Sequence, residues 1–430
     1  MASAAATTAD VGLHPRAARD SQHELHWHSL GHRPADTRFR HRPPRHTALL
    51  IWLACFCLAM TWTRAAAGQD LNGEQWFTRV GFTPAFVLPN NPFLSGETPP
   101  NQQTRWTPSM TIEMGRQTNG SRDWHHLYGL PTYGFGFSVA SFGDGAESGR
   151  PLDAYTFFSW PFARLSRRVQ LTTDFGMGVS WNWKEYNEET DSYRTVLGSN
   201  MNARIDWGFY VRHLTTRQMS VYAGVDFTHR SNGGMRQPNG GINVIGPSVA
   251  LRYDLAPERH VQVRDVPTFQ PAWEFVIGGA AGRKNVVGKT NPAIRRDYGA
   301  FDVTAALQRH FYRYGKIAAG TDLTYDGATG ARVGMVEGNA VQWRPGPGQR
   351  LAIGFYGGYE HVIDRFGALV QGGYNVARSF EDPGRPRFYM RYGWRYHVND
   401  RLWGLFAIRS IEGRRADFLE FGAGYRMRWP

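Results

Sequence analysis

The sequence predicts an all-β protein, an antiparallel transmembrane β-barrel of about 16 strands, and three observations carry that prediction. Apolar and polar residues alternate with period two from Trp76 to Trp429. The alternating runs reach about 10–13 residues, longer than ordinary strands and close to the span of a tilted membrane strand. Connections alternate between short ("RLSRR", "LTTRQ", "VND") and long ("KEYNEETDSYRTVLGS", 327–349), the asymmetry expected of turns at one membrane face and loops at the other.

The chain begins with a polar leader. Residues 1–47 carry seven Arg and seven of the 15 His at irregular spacing. The apolar stretch "ALLIWLACFCLAMTW" (48–62) and the small residues "AAAGQD" follow, the layout of a secretory signal peptide with cleavage after Ala67, for which a single anchoring helix is the competing reading. Both cysteines, Cys55 and Cys57, fall inside that stretch, so the exported chain has no cysteine chemistry and no disulfide. The formal charge is +13, of which about +9 stays on the exported part. With export, that surplus fits an anionic membrane surface; no nucleic-acid motif is present.

Each strand is justified by its two faces. In "LTTDFGMGVSWNW", Leu171, Phe175, Met177, Val179 and Trp181 share one face and Thr172, Asp174, Gly176 and Ser180 the other. "MNARIDWGFYVR" repeats the scheme, with Ile205, Trp207 and Phe209 against Arg204, Asp206 and Arg212. "RFYMRYGWRYH" and "DFLEFGAGYRMRW" do so again. In a soluble sandwich the apolar face would be a core; in a membrane barrel it meets lipid and the polar, glycine-rich face lines the interior. Strand length, terminal aromatics and loop asymmetry favour the barrel. The count divides at "APERHVQVRDVP" (256–267), giving a leader and signal peptide over 1–67, a first unit over 68–256 and a second over 257–430. One barrel of about 16 strands and two barrels of eight satisfy the pattern equally.

One stretch departs from the scheme. Along "VYAGVDFTHRS" the apolar face runs Val221, Ala223, Val225, Phe227 and then His229 and Ser231. The returning strand puts Asn243 on the same side, and "SNGGMRQPNGG" closes the hairpin. Side chains at i and i+2 of a strand lie about 6.5–7 Å apart and point one way, within reach of an imidazole bridging to a hydroxyl. A serine becomes nucleophilic when a base takes its proton, and the base works best when a third group fixes its ring. Asn243 is placed to be that group, while Asp226 and Asp254 project to the other face. The turn adds the N–H groups of Gly233 and Gly234 and the amides of Asn232 and Asn239 as candidate oxyanion donors. A His and a Ser at this spacing fit equally a polar patch just above the membrane.

The longer string "HRSNGGMRQPNGGIN" (229–243) resembles the signature of the lipid A 3-O-deacylase family, outer-membrane barrel esterases acting on lipopolysaccharide. The likeness is sharp over 229–243 and extends in strand pattern over roughly 130–255; "RRADFLEFGAGYRM" in the second half looks faintly like the family's closing strand. The resemblance implies His229 as base, Ser231 as nucleophile, and Asn232, Gly234 and Asn239 around the oxyanion hole. It also implies a lipid A substrate and a setting among outer-membrane lipids; the sequence itself shows no sign of a metal or cofactor. Family members carry glutamate where this chain has Asn243, and an amide orients an imidazole without lending a full negative charge. Arg230 and Arg236 flank the motif and are candidates for holding lipid A phosphates. The competing class is a passive porin with a basic lumen, which one 16-stranded barrel would permit and two filled barrels would not. Oligomeric state, and which ester is cut, have no signature in the sequence.

Overall fold

The computed structural model describes residues 74–99, 101–142, 148–255, 261–288, 294–336, 339–382, 385–413 and 415–430. All lie in one compact unit, Asn72–Pro430. The expected leader and signal peptide, 1–67, fall outside the described residues. Among the described residues no helix is long and apolar enough to cross a membrane.

The strands close into two separate antiparallel barrels of eight. The first comprises β1 (Gln75–Leu88), β2 (Trp106–Gln117), β3 (Thr132–Ala140), β4 (Gly149–Arg164), β5 (Val169–Trp183), β6 (Asn202–Leu214), β7 (Met219–Ser231) and β8 (Ile242–Asp254). It closes where β1 pairs with β8, through Phe77↔Asp254 to Leu88↔Asn243. The second comprises β9 (Ala272–Val287), β10 (Arg295–Tyr312), β11 (Gly315–Asp326), β14 (Leu351–Ile363), β15 (Phe366–Arg378), β16 (Phe388–His397), β17 (Leu402–Ile411) and β18 (Arg415–Trp429). It closes through β18 on β9. A further hairpin, β12 (Arg332–Val336) with β13 (Asn339–Trp343), stands in the long loop before β14 and belongs to neither barrel. Closure leaves neither barrel an edge strand, so both stand without a partner molecule.

Alternation places the side chains as expected. On β7 and β8 the outward set, Val221, Val225, Ile245, Val249 and Leu251, is exposed, whereas Tyr222, Arg230, Ser248 and Arg252 are buried inside. Water would not tolerate so continuous an apolar wall, and hydrocarbon would. Both interiors are filled by charge pairs. In the first barrel Arg79 bonds Glu113 and Asp174, and Asp153 takes Arg204 at 3.0 Å and Arg230 at 2.7 Å. In the second, Arg391 bonds Glu420 and Asp322, Arg409 meets Asp302 at 2.8 Å, and Glu360 holds Arg395 and His397 at 2.7 Å each. Arg426 lies 3.7 Å from the interior acid Glu274. Such pairing is what makes so many buried charges tolerable. His125 is buried, and its Nδ1 accepts the Gly120 N–H.

At the loop-rich end of the first barrel an apolar cluster joins Ala85, Val87, Trp183, Leu197, Ile242 and Val244. It seals that end and pins the β5–β6 loop to the strand that carries Asn243. The two barrels touch side by side: Tyr314 Oη donates to Leu127 O at 3.1 Å, and Phe175 packs on Trp394 with ring centroids 5.1 Å apart.

Candidate active site

The β7–β8 hairpin builds the site from paired backbone. His229 and Asn243 are direct cross-strand partners, one residue beyond Thr228↔Val244 and two beyond Phe227↔Ile245. Partners across a ladder share a face and stand about 4.5–5.5 Å apart at Cβ, so register alone brings imidazole and amide together. That face is the outer one, continuous with exposed Val225 and Ile245.

The side chains complete a relay. His229 Nδ1 lies 2.7 Å from Asn243 Oδ1, and His229 Nε2 lies 2.9 Å from Ser231 Oγ. A ring nitrogen facing a carbonyl oxygen must carry the proton, so Nδ1–H donates to Asn243. Nε2 is then left to accept from the Ser231 hydroxyl. Ser231 is 8% exposed although it stands on the outer face. Its cover comes from the loop that follows it.

Asn232 organises that loop. Its N–H donates to Asn239 Oδ1 at 3.0 Å, and its Oδ1 accepts the N–H of Gly234 at 3.1 Å. Its Nδ2 donates to Ser199 Oγ at 3.0 Å and to Arg236 O at 2.7 Å. These bonds take up two of the expected oxyanion donors. The amide of Asn232 and the N–H of Gly234 are consumed in shaping the turn. Asn239 shapes it through its carbonyl oxygen, a bond that leaves its Nδ2 hydrogens unused. Gly233, left-handed at φ +64°, has an N–H that no described residue accepts.

The two arginines also part company. Arg230 does not face the membrane or the loop side: it is buried in the lumen, with Nε and Nη2 on Asp153 at 3.0 and 2.7 Å. Its even position on β7 dictates this, since alternate residues of a strand point to opposite faces. Arg236 stays at the surface, 2.9 Å from Glu185.

Two contributors escaped the sequence reading. Gly241, at φ +70°, passes under the dyad so closely that a Cβ there would sit 3.1 Å from His229 Cε1 and 3.5 Å from Ser231 Cβ. Its signal was the Gly240–Gly241 pair, taken only as a turn. The other is the β5–β6 loop, which reaches the hairpin through Ser199, the Leu197↔Asn239 bridge and the Gly241 N–H to Val196 O bond of 3.1 Å. No local pattern announces a contact between such distant segments. Among the described residues there is no group of three or more His, Cys, Asp or Glu placed to hold a metal ion.

Residues 110–252 match the family model described as Lipid A 3-O-deacylase (PagL). Residues 272–429 match the model described as Acyloxyacyl hydrolase, C-terminal domain. Among solved structures, the outer membrane enzyme PagL is 19% identical, covering 41% of this chain and 98% of its own, with a TM-score of 0.26. Neisserial surface protein A is 9% identical, covering 43% of this chain and all of its own, with a TM-score of 0.29. Comparison with curated proteins finds no match.

Proposed function

The chain belongs to the lipid A 3-O-deacylase family, and from that premise we propose that it is an outer-membrane serine esterase removing an ester-linked acyl chain from lipid A. The observation that carries the proposal is the outward-facing Asn243–His229–Ser231 relay, with bonds of 2.7 and 2.9 Å. His229 Nε2 takes the Ser231 proton as Oγ attacks the ester carbonyl carbon. The resulting oxyanion is met by the Gly233 N–H. Collapse breaks the ester bond, and the proton on Nε2 passes to the departing sugar oxygen. Water then attacks the acyl-serine with His229 again as base, which releases the fatty acid and restores Ser231. Asn243 holds the ring and its tautomer, and its carbonyl dipole offsets part of the imidazolium charge.

Two features support placement in the outer membrane: the closed barrels and the exposed apolar wall around Val221, Val249 and Leu251. Interiors filled by ion pairs speak against the porin alternative. The same site ends in the loop bearing Arg236, a surface cation suited to a lipid A phosphate. The deciding experiment is mass spectrometry of lipid A incubated with the purified protein and with Ser231→Ala. Loss of acyl release in the variant is expected; release at the normal rate would overturn the mechanism.

A further inference from the structure

The second barrel repeats the frame of the site without its chemistry. β17, the penultimate strand of its barrel as β7 is of the first, runs F-A-I-R-S-I-E-G over Phe406–Gly413. The first barrel has F-T-H-R-S-N-G-G over Phe227–Gly234. Structural roles follow the letters. Arg230 and Arg409 both turn into the lumen onto an aspartate, at 2.7 and 2.8 Å. Ser231 and Ser410 are both buried, and Gly234 and Gly413 are both left-handed at φ +81° and +71°. The departures fall on the relay: Ile408 stands for His229, and its cross-strand partner Leu419 stands for Asn243.

The altered face is also the one that touches the first barrel's loop. Leu419 is 2% exposed, whereas Phe421, two residues on along the same outer face, is 43% exposed. Its cover is the turn after Ser231: a Cβ at Gly233 would fall 2.5 Å from Leu419 Cδ2, and one at Gly234 would fall 3.1 Å from Ala416 O. The N–H of Gln237, farther along the same loop, donates to Asn285 Oδ1 on β9 at 3.3 Å. A polar His–Asn pair at 408 and 419 would have made a poor packing surface; an Ile–Leu pair makes a good one.

We infer that the second barrel is a catalytically emptied copy that clamps loop 232–238 of the first, with Leu419 as a positioning residue for the Gly233 N–H. This rests on the esterase reading above. The loop carries the proposed oxyanion donor, and a misplacement of about 1 Å in such a group can cost about a hundredfold in rate.

The test uses the full chain in detergent, with folding checked by heat-shifted gel mobility. Leu419→Ala should raise amide exchange at residues 233–236 about tenfold and lower kcat for fatty-acid release about tenfold, with KM unchanged. Leu419→Met, which refills the contact, should restore both. Asn285→Ala, removing the hydrogen bond to the loop along with the one to Asp297, should loosen the loop to a smaller degree and serves if Leu419→Ala does not assemble. Exchange and kcat at wild-type values in Leu419→Ala, or in Asn285→Ala where that variant must stand in, would overturn the clamp. Ser231→Ala run alongside separates the two ideas. If it keeps activity the esterase reading fails, while exchange still decides the clamp. If it is dead and the clamp variants are normal, only the clamp fails.

Discussion

His229 Nδ1 donates to the amide oxygen of Asn243 across 2.7 Å, where a carboxylate would bring a full negative charge. The proposed relay has its geometry without that charge. An amide oxygen fixes the tautomer as well as a carboxylate does, but it stabilises the imidazolium only as a dipole.

Asn243→Glu is therefore expected to raise kcat, by about tenfold, equivalent to about 1.4 kcal/mol of transition-state stabilisation. Asn243→Leu should lower kcat about a hundredfold by freeing the ring. Steady-state fatty-acid release from lipopolysaccharide reads both. A glutamate variant slower than the parent would show that the site is tuned for the amide.

Gly241→Ala is expected to damage catalysis from beneath. At φ +70° an alanine costs about 1–2 kcal/mol of backbone strain, and its methyl would press on His229 Cε1 at 3.1 Å. The displaced ring should lower kcat by about ten- to a hundredfold while KM holds. The kcat–KM split in the same assay decides.

Arg230→Ala should leave KM for lipopolysaccharide unchanged and lower stability, because its guanidinium is spent on Asp153 inside the barrel. Asp153→Ala should be worse, by about 3–5 kcal/mol, since it strands Arg230 and leaves Arg204 to Asp206. Denaturant unfolding in detergent, followed by gel mobility, measures both. A raised KM with unaltered stability in Arg230→Ala would restore that residue to the substrate side.

The protein should be electrically silent in planar bilayers. Arg79, Glu113, Asp174, Arg204 and Asp206 fill the first interior, and Arg391, Glu420, Asp322 and Asp302 the second. Single-channel recordings showing steady ohmic steps would return the passive-pore alternative.

Much of the hairpin was legible because strand geometry is local. Period two places His229, Ser231 and Asn243 on one face, and the pairing of β7 with β8 needs only the turn between them. Barrel number was not legible, since one cylinder and two give the same alternation along the chain. Nor were the loop bonds of Asn232, whose side chain reaches back to Ser199 across 33 residues and so is not offered to an oxyanion. Arg230 was the instructive case. Its parity already pointed it inward, but sequence proximity to the dyad invited a functional role. Only Asp153, 77 residues earlier, shows where its charge is spent. The β17 repeat shares four letters in eight with β7, too few to separate from chance without matching φ angles and register.

On the proposed esterase reading, Ser231 on the outer wall of the cylinder would meet its substrate by lateral diffusion within the leaflet. The operative quantity would then be the mole fraction of acylated lipid around the protein, not its amount per volume of buffer. Dilution with inert lipid would slow turnover; dilution with water would not.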